Sequence, residues 1–186
     1  QEKLRAIFRW IADNIEYKTK ENSKRPAGGR RYFEDPADTA DLKPLNERVA
    51  EDVLNNGWAI CDGYARLFKA LCDFSGIKNE VIHGFARGSR GFRRFGANHT
   101  WNAVMIDNKW YLTDITWASG YLSLHGDRFI PEFDENYYLA PPEKFIEEHY
   151  PDNMFWTLMD DPPLANEFRI SPYKQKTFTK YSIRSY

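Results

Sequence analysis

Cysteine is scarce in this chain of 186 residues, and the two that occur do not suit a disulfide framework. If Cys61 and Cys72 lie on one helix, their Cα atoms are about 16 Å apart by helical rise, whereas a disulfide requires about 4.4–6.8 Å. Cys72 is therefore interpreted as a packing residue. A CxxC pair and a His-x3-His spacing are also missing, so we expect no metal site and no other cofactor.

An excess of charge of one sign is missing as well. The formal net charge is −1, which disfavours a nucleic-acid partner. No apolar run approaches the roughly 20 residues of a membrane-spanning helix, so no integral membrane segment is expected. The length and a hydrophobic content of 42% predict one globular domain over residues 1–186.

The stretch from Asn56 to Ala65 places a cysteine between a turn and the start of a helix. Apolar residues recur at helical spacing after Cys61, and Gly76 is typical of the position just beyond a helix C-terminus. Unpaired N–H groups at a helix N-terminus favour negative charge, and therefore the reactive thiolate. Cys61 is a candidate nucleophile, although most free cysteines are small buried hydrophobes.

The remaining elements are predicted from periodicity and turn residues. Residues 1–14 and 45–55 have the pattern of helices, and residues 19–44 that of a long irregular excursion. Strands are predicted over Glu80–Ala86, His99–Ile106, Lys109–Ile115 and Asn136–Leu139, with a short helix from Pro141 to Glu148.

A two-residue turn at Asp107-Asn108 would set the register of the hairpin. Counting back from this turn pairs Trp101 with Asp114. Because side chains alternate, His99, Trp101 and Asp114 then share one face, and His99 and Asp114 are diagonal neighbours about 7–8 Å apart between backbones. A three-residue turn would put Asp114 on the opposite face.

A histidine oriented by a carboxylate, together with a separate thiol, is the arrangement that nucleophilic catalysis requires. Asp114 would hold the His99 ring in one tautomer, and the other ring nitrogen would face Cys61. The alternatives are that Asp114 caps the Thr116-Trp117 turn and that His99 is an ordinary half-buried histidine. The other histidines lack such companions and are interpreted as structural or surface residues: His83, His125 and His149.

Three segments resemble the core motifs of the transglutaminase-like superfamily, in that family's Cys, His, Asp order: Gly57–Ala65, Asn98–Val104 and Trp110–Trp117. The opening Ala6–Ile15 and the tail around Tyr137–Leu139 and Trp156 are most similar to its kyphoscoliosis-peptidase-like and bacterial secreted branch. The resemblance implies an α+β, papain-like fold with a cysteine-bearing helix packed on an antiparallel sheet. It also implies a catalytic triad of Cys61, His99 and Asp114.

The function that follows from this resemblance is that of a thiol-dependent acyl enzyme. The thiolate would attack a peptide or glutamine-type amide, and the thioester would be resolved by water or by an amine. Hydrolysis is favoured because that branch is more often described as peptidase-like. The expected partner is a protein or peptide substrate, cell-wall peptide included. The alternative is a binding or scaffolding module on the same fold with an unused triad.

The loop before the nucleophile departs from the family pattern, because three residues, Trp58–Ile60, separate the turn glycine from the cysteine where a pair is usual. The Cys61 backbone N–H is one expected oxyanion donor. The candidates for a second donor or for substrate contact are Trp58, Asn55, Asn56 and Trp101.

A glycine-rich segment, residues 87–98, leads directly into the proposed base and carries four arginines. Arg90, Arg93 and Arg94 are candidate contacts for the carboxylates of an acidic substrate, with simple solvation as the alternative. Asn98-His99-Thr100 is a glycosylation sequon, and a glycan there would block the site, which disfavours a eukaryotic secretory route. The resemblance favours bacterial export to the periplasm or the extracellular space, with a cytoplasmic location still open.

Overall fold

The computed structural model describes residues 1–24, 43–87 and 96–171. The helices are α1 (Glu2–Asn14), α2 (Leu45–Asn56), α3 (Cys61–Phe74), α4 (Ile115–Ser119), α5 (Pro142–Phe145) and α6 (Ala165–Ile170). The strands are β1 (Glu16–Tyr17), β2 (Trp58–Ala59), β3 (Asn79–Ala86), β4 (His99–Ile106), β5 (Lys109–Thr113), β6 (Gly120–Leu122), β7 (Phe129–Pro131) and β8 (His149–Pro151). None of the helices in these ranges has both the length and the apolar character to cross a membrane.

The central sheet is antiparallel, with strand order β5-β4-β3-β8. The predicted hairpin turn is confirmed, because Asp107 and Asn108 have φ values of 49° and 61° and Ile106 pairs with Lys109. Positive φ at both central residues gives a turn whose twist matches that of the strands. β5 ends at Thr113, earlier than predicted, because Asp114 begins the next helix.

The cysteine-bearing helix packs on this sheet, which confirms the expected α+β arrangement. Tyr64, Leu67 and Phe68 of α3 are buried, and the Asn102 side chain of β4 donates to the Ala65 carbonyl over 3.1 Å. Close packing of α3 against β2 and α2 depends on Gly63, where an added Cβ would lie 2.7 Å from the Ala59 Cβ and 3.0 Å from the Val53 Cγ2. The start of α3 is thereby fixed between the sheet and a neighbouring helix.

The tail differs from the prediction in two places. The predicted strand Asn136–Leu139 is wrong, because Glu135–Tyr137 forms a 3₁₀ turn in which Asp134 accepts a hydrogen bond from the Asn136 N–H over 3.0 Å. The predicted helix to Glu148 ends at Phe145, and β8 follows. The chain leaves the helix because residues 149–151 pair with the outer edge of β3.

Candidate active site

Cys61 is the first residue of α3, and its side chain is partly exposed. The preceding Ile60 is extended, with φ −92° and ψ 176°, so the chain turns sharply into the helix at the thiol. The following Asp62 bonds to Arg66 over 2.8 Å, and Arg66 reaches Asn46 of α2 over 2.8 Å. These bonds hold the first turn of α3 in place beside α2.

Cys72 occupies a different environment on the same helix. Its side chain is fully buried, and this burial, with the nearby Asp73 charge, raises the pKa of its thiol to about 12. Cys72 is therefore an inert packing residue at neutral pH, as its spacing indicated.

His99 and Asp114 lie beside each other on the hairpin. The His99 Nε2 atom is 2.6 Å from Asp114 Oδ2. Their side chains are 7% and 0% exposed. His99 begins β4 and Asp114 immediately follows β5, so the hairpin register described above is what joins them. Because an ionised carboxylate only accepts hydrogen bonds, Nε2 carries the proton.

The electrostatics of this pair favour an imidazolium beside a carboxylate. Burial lowers the pKa of His99, but the charge and hydrogen bond of Asp114, with a hydrogen bond and charge from Cys61, raise it more, to about 9. Burial raises the pKa of Asp114, yet the charge of His99 and the hydrogen bonds from His149 and His99 hold that pKa below its usual range. Asp114 and Cys61 thus both raise the pKa of His99, and Asp114 is the larger cause.

Asp114 also caps α4. Its Oδ1 accepts a hydrogen bond from the Trp117 N–H over 3.1 Å, while Oδ2 serves the histidine. Its own N–H donates to the Tyr137 carbonyl over 3.0 Å. Asp114 is therefore both a helix cap and a hydrogen-bond partner of His99, with one role on each oxygen.

His149 does have a companion of the kind that the sequence analysis denied it. Its Nε2 lies 2.9 Å from Asp114 Oδ2, the same oxygen that holds His99, and its side chain is 0% exposed. Strand β8 brings it there from 35 residues away. In the sequence, His149 directly follows a predicted helix. The contact with Asp114 depends on strand β8, which the sequence does not predict.

Aromatic rings surround both histidines. The Trp101 ring stacks near His99 with 6.0 Å between centroids, and Trp117 lies 5.4 Å from His99. Trp101 is 1% exposed, and its Nε1 has no hydrogen-bond partner among the described residues. This candidate substrate contact therefore lies beneath the base rather than on an accessible surface. Gly84 provides the room, since an added Cβ would lie 2.5 Å from the Trp101 ring.

The remaining predicted site residues lie on β2, at the end of α2 and in the segment after β3. Trp58 is half-buried, with the Lys18 Nζ 4.7 Å from the centre of its ring. Asn55 is exposed at the end of α2, and Asn56 is half-buried with a buried Oδ1 that has no partner in the described part of the chain. Arg90, Arg93 and Arg94 lie outside the described residues.

Tyr17 is a neighbour of the thiol that the sequence did not indicate. Strand β1 pairs in parallel with β2, which sets Tyr17 opposite Ala59, two positions before Cys61. Burial raises the pKa of the Tyr17 phenol, and the charges of Cys61 and Asp114 raise it further. Because β1 is only a dipeptide, its sequence carries no periodic signal.

His99, Asp114 and His149 are also the candidate metal-binding group in the described ranges, with potential ligand atoms within 4.8 Å of one another. This spacing follows from the two imidazole–carboxylate hydrogen bonds of 2.6 and 2.9 Å, in which each Nε2–H occupies a position that a cation would need. The chemistry available here is nucleophilic attack by a thiolate with acid–base support from a carboxylate-bound imidazole.

The helix packed on an antiparallel sheet defines the papain-like, transglutaminase-type class of α+β proteins. The sequence profile of the Transglutaminase-like superfamily matches residues 1–115, and the chain belongs to this superfamily. Kyphoscoliosis peptidase of Mus musculus and that of Homo sapiens are each 32% identical to the chain over 181 residues. The match covers 95% of this chain and 25% of each of those proteins, so the chain spans about a quarter of their length. A crystal structure of a TGase is 15% identical, with a TM-score of 0.40 over 73% of this chain and 30% of its own.

Proposed function

We propose that this chain is a cysteine-dependent acyl enzyme that hydrolyses peptide or glutamine-type amide bonds. Cys61 is the nucleophile, His99 the acid–base and Asp114 the residue that orients the base. The observation that carries the proposal is the buried His99–Asp114 pair at 2.6 Å, and Cys61 also contributes to the raised pKa of His99. A buried pair of this kind costs desolvation and is used where a group must hold a defined protonation state.

The His99–Asp114 hydrogen bond supports one path for the proton. Because Nε2 of His99 is bonded to Asp114, Nδ1 is the nitrogen left for the thiol. The thiol proton passes to Nδ1, and the thiolate sulfur attacks the amide carbonyl carbon. The tetrahedral oxyanion is stabilised by the Cys61 N–H at the start of α3. The C–N bond then breaks as the imidazolium gives its proton to the leaving amine, and a thioester remains.

The second half of the reaction regenerates the thiol. The neutral imidazole takes a proton from water, whose oxygen attacks the thioester carbon, and the C–S bond breaks to release a carboxylic acid. An amine in place of water would give transamidation. We favour hydrolysis because the relatives that align with nearly the whole chain are named peptidases. Their name also supports a protein or peptide substrate.

A screen of quenched fluorescent peptides, run with and without a fluorescent primary amine, tests this proposal. We expect peptide cleavage to proceed at the same rate with and without the amine. Mass spectrometry should find a transient acyl group on Cys61. Cys61→Ser should abolish cleavage, whereas Cys72→Ser serves as a matched control and should retain it. Cleavage that survives in Cys61→Ser would contradict the proposal, and amine incorporation without cleavage would assign transamidation instead.

A further inference from the structure

We propose that His149 is a positioning residue for the catalytic base, which fixes the Asp114 carboxylate by a second hydrogen bond to the oxygen that holds His99. This inference rests on the proposed function, because it assigns a partner to the same base. It makes the working unit a His–Asp–His group in which His149 acts through Asp114.

The carboxylate of Asp114 is held on both oxygens. Oδ2 receives Nε2–H groups from His99 at 2.6 Å and from His149 at 2.9 Å, and Oδ1 receives the Trp117 N–H at 3.1 Å. Three donors in different directions prevent rotation of the carboxylate about its Cβ–Cγ bond. The direction of Oδ2 sets the direction of the His99 ring, and with it the position of Nδ1 relative to the thiol.

The ring of His149 is itself fixed. Pairing of His149 with Ala86 sets its backbone on the sheet, and its ring stacks on Phe145 with centroids 4.1 Å apart and planes 21° apart. Trp117 and Trp101 lie on other sides, at 4.5 and 5.1 Å. A phenyl ring would fill this aromatic pocket without the cost of burying an imidazole. The hydrogen bond to Asp114 is what the imidazole adds.

The titratable groups around His149 come from several elements. Asp114 and His99 face its Nε2, and the Tyr137 ring lies 6.1 Å from its ring. The Tyr137 hydroxyl donates to Glu148, the residue that precedes His149 in the chain, over 2.9 Å. The Glu148 carboxylate therefore has a donor of its own, so Asp114 is the carboxylate that His149 supports.

Loss of this donor has a predictable direction. The His149 hydrogen bond helps to hold the pKa of Asp114 below its usual range, so its removal lets the carboxyl protonate at a higher pH. A protonated Asp114 no longer supports the His99 imidazolium, and the thiolate then loses its partner. The acid limb of Cys61 reactivity should therefore move to higher pH, and the reactivity at neutral pH should fall about tenfold to a hundredfold.

The test uses His149→Phe and His149→Gln in a Cys72→Ser background, so that Cys61 is the one alkylated thiol. Phe keeps the aromatic packing without the donor, and the Gln side-chain amide reproduces a donor near the Nε2 position. The rate of alkylation by iodoacetamide is measured across roughly pH 4 to 9. In His149→Phe we expect the acid limb of the Cys61 alkylation profile to lie at higher pH and the rate at neutral pH to be lower. In His149→Gln we expect the limb and the rate to return to those of the background protein. Identical profiles for His149→Phe and the background protein would overturn the proposal.

Two further measurements keep the outcome decisive. If His149→Phe does not fold, His149→Asn replaces it, because its amide is too short to reach Asp114 while Gln is not. If the background protein itself shows no activated thiol, the proposed function fails, and the low-field NMR resonance of the His99 Nε2 proton tests the inference alone. That resonance should shift in His149→Phe and return in His149→Gln. An unchanged resonance in His149→Phe would refute the role of His149.

Discussion

The two thiols on α3 differ in the features that control cysteine reactivity. Cys61 is partly exposed at the helix start and contributes to the raised pKa of His99, whereas Cys72 is fully buried with a pKa raised to about 12. Only a thiolate that a reagent can reach is alkylated quickly. We therefore expect the two cysteines of α3 to differ in their rate of alkylation.

We expect iodoacetamide to modify Cys61 at neutral pH well before Cys72, by about a hundredfold or more in rate. Peptide mapping by mass spectrometry after timed quenching measures both rates in one sample. In Cys61→Ser, the remaining thiol should label only on unfolding. Equal rates for the two thiols, or faster labelling of Cys72, would remove Cys61 as nucleophile.

Asp114→Asn should cost kcat on the order of a thousandfold or more, since an amide can stabilise the wrong imidazole tautomer. Asn is as good a helix cap as Asp, so α4 should remain in place. Activity on the cleaved peptide, compared with a circular dichroism melt of the same sample, separates the two effects. Near-normal turnover would leave Asp114 as a cap alone.

The same pair predicts how stability depends on pH. Because the pKa of His99 is raised to about 9 from an ordinary 6.5, its charge stabilises the folded state fully below about pH 6.5. That contribution, on the order of 3 kcal/mol, is lost as pH rises through about 9. Urea melts across this window should show the fall in the wild type and a flatter curve in Asp114→Asn. A pH-independent free energy of unfolding in the wild type would contradict it.

At the level of elements, close approach of β8 to the sheet depends on Gly84. A Cβ there would lie 2.3 Å from the Tyr150 carbonyl oxygen and 2.7 Å from the Pro151 Cα, both in β8. Gly84→Ala should push β8 outward, destabilise the fold by about 1–3 kcal/mol and move His149 away from Asp114. Gly96→Ala is the matched control, because an added Cβ meets nothing within 4 Å there.

Thermal melts and Cys61 alkylation rates measure both consequences of Gly84→Ala. If β8 positions His149 against Asp114, then His149→Phe should lower the Cys61 alkylation rate less in Gly84→Ala than in the wild type. The reason is that Gly84→Ala has already weakened the His149–Asp114 contact. Additive effects on the alkylation rate would mean that β8 and the base are independent.

The elements that could be predicted are those with local signals. Helices α1, α2 and α3, strands β3 and β4 and the Asp107-Asn108 turn follow from periodicity and turn residues, and that turn sufficed to bring His99 beside Asp114. The short strand β8 has no such signal, because its pairing partners in β3 lie 63 or more residues earlier in the chain. His149 was therefore missed for the same reason that β8 was missed.

Over the whole molecule, the formal net charge of −1 gives no general field to attract a charged substrate. A preference for substrates of one charge must therefore come from charged residues near the site. The sequence analysis predicts that these residues are arginines of the segment 87–98. Arg87 itself is committed elsewhere: it is buried, stacks on Phe168 at 4.1 Å and donates to the Ser171 carbonyl over 2.8 Å. The prediction thus concerns Arg90, Arg93 and Arg94.

Replacing those three arginines together by Ser should lower kcat/KM for an acidic peptide and leave a neutral peptide unchanged. The wild-type preference should weaken as salt rises, since exposed charges are screened over about 8–10 Å near physiological ionic strength. Paired assays on the two peptides at low and high salt measure this. An equal loss on both peptides would mean that the segment shapes the site and does not read charge.

The double duty of Asp114 affects how lost activity could be recognised in related chains. One oxygen starts α4 and the other binds two histidines, so replacing Asp114 by Ala removes a helix cap as well as a catalytic partner, at about 0.5–2 kcal/mol for the cap alone. A descendant that had become a pure scaffold would still gain stability by keeping this aspartate. Cys61 is partly exposed and caps no helix in the described part of the chain, so its replacement would identify a related chain that has lost the proposed activity.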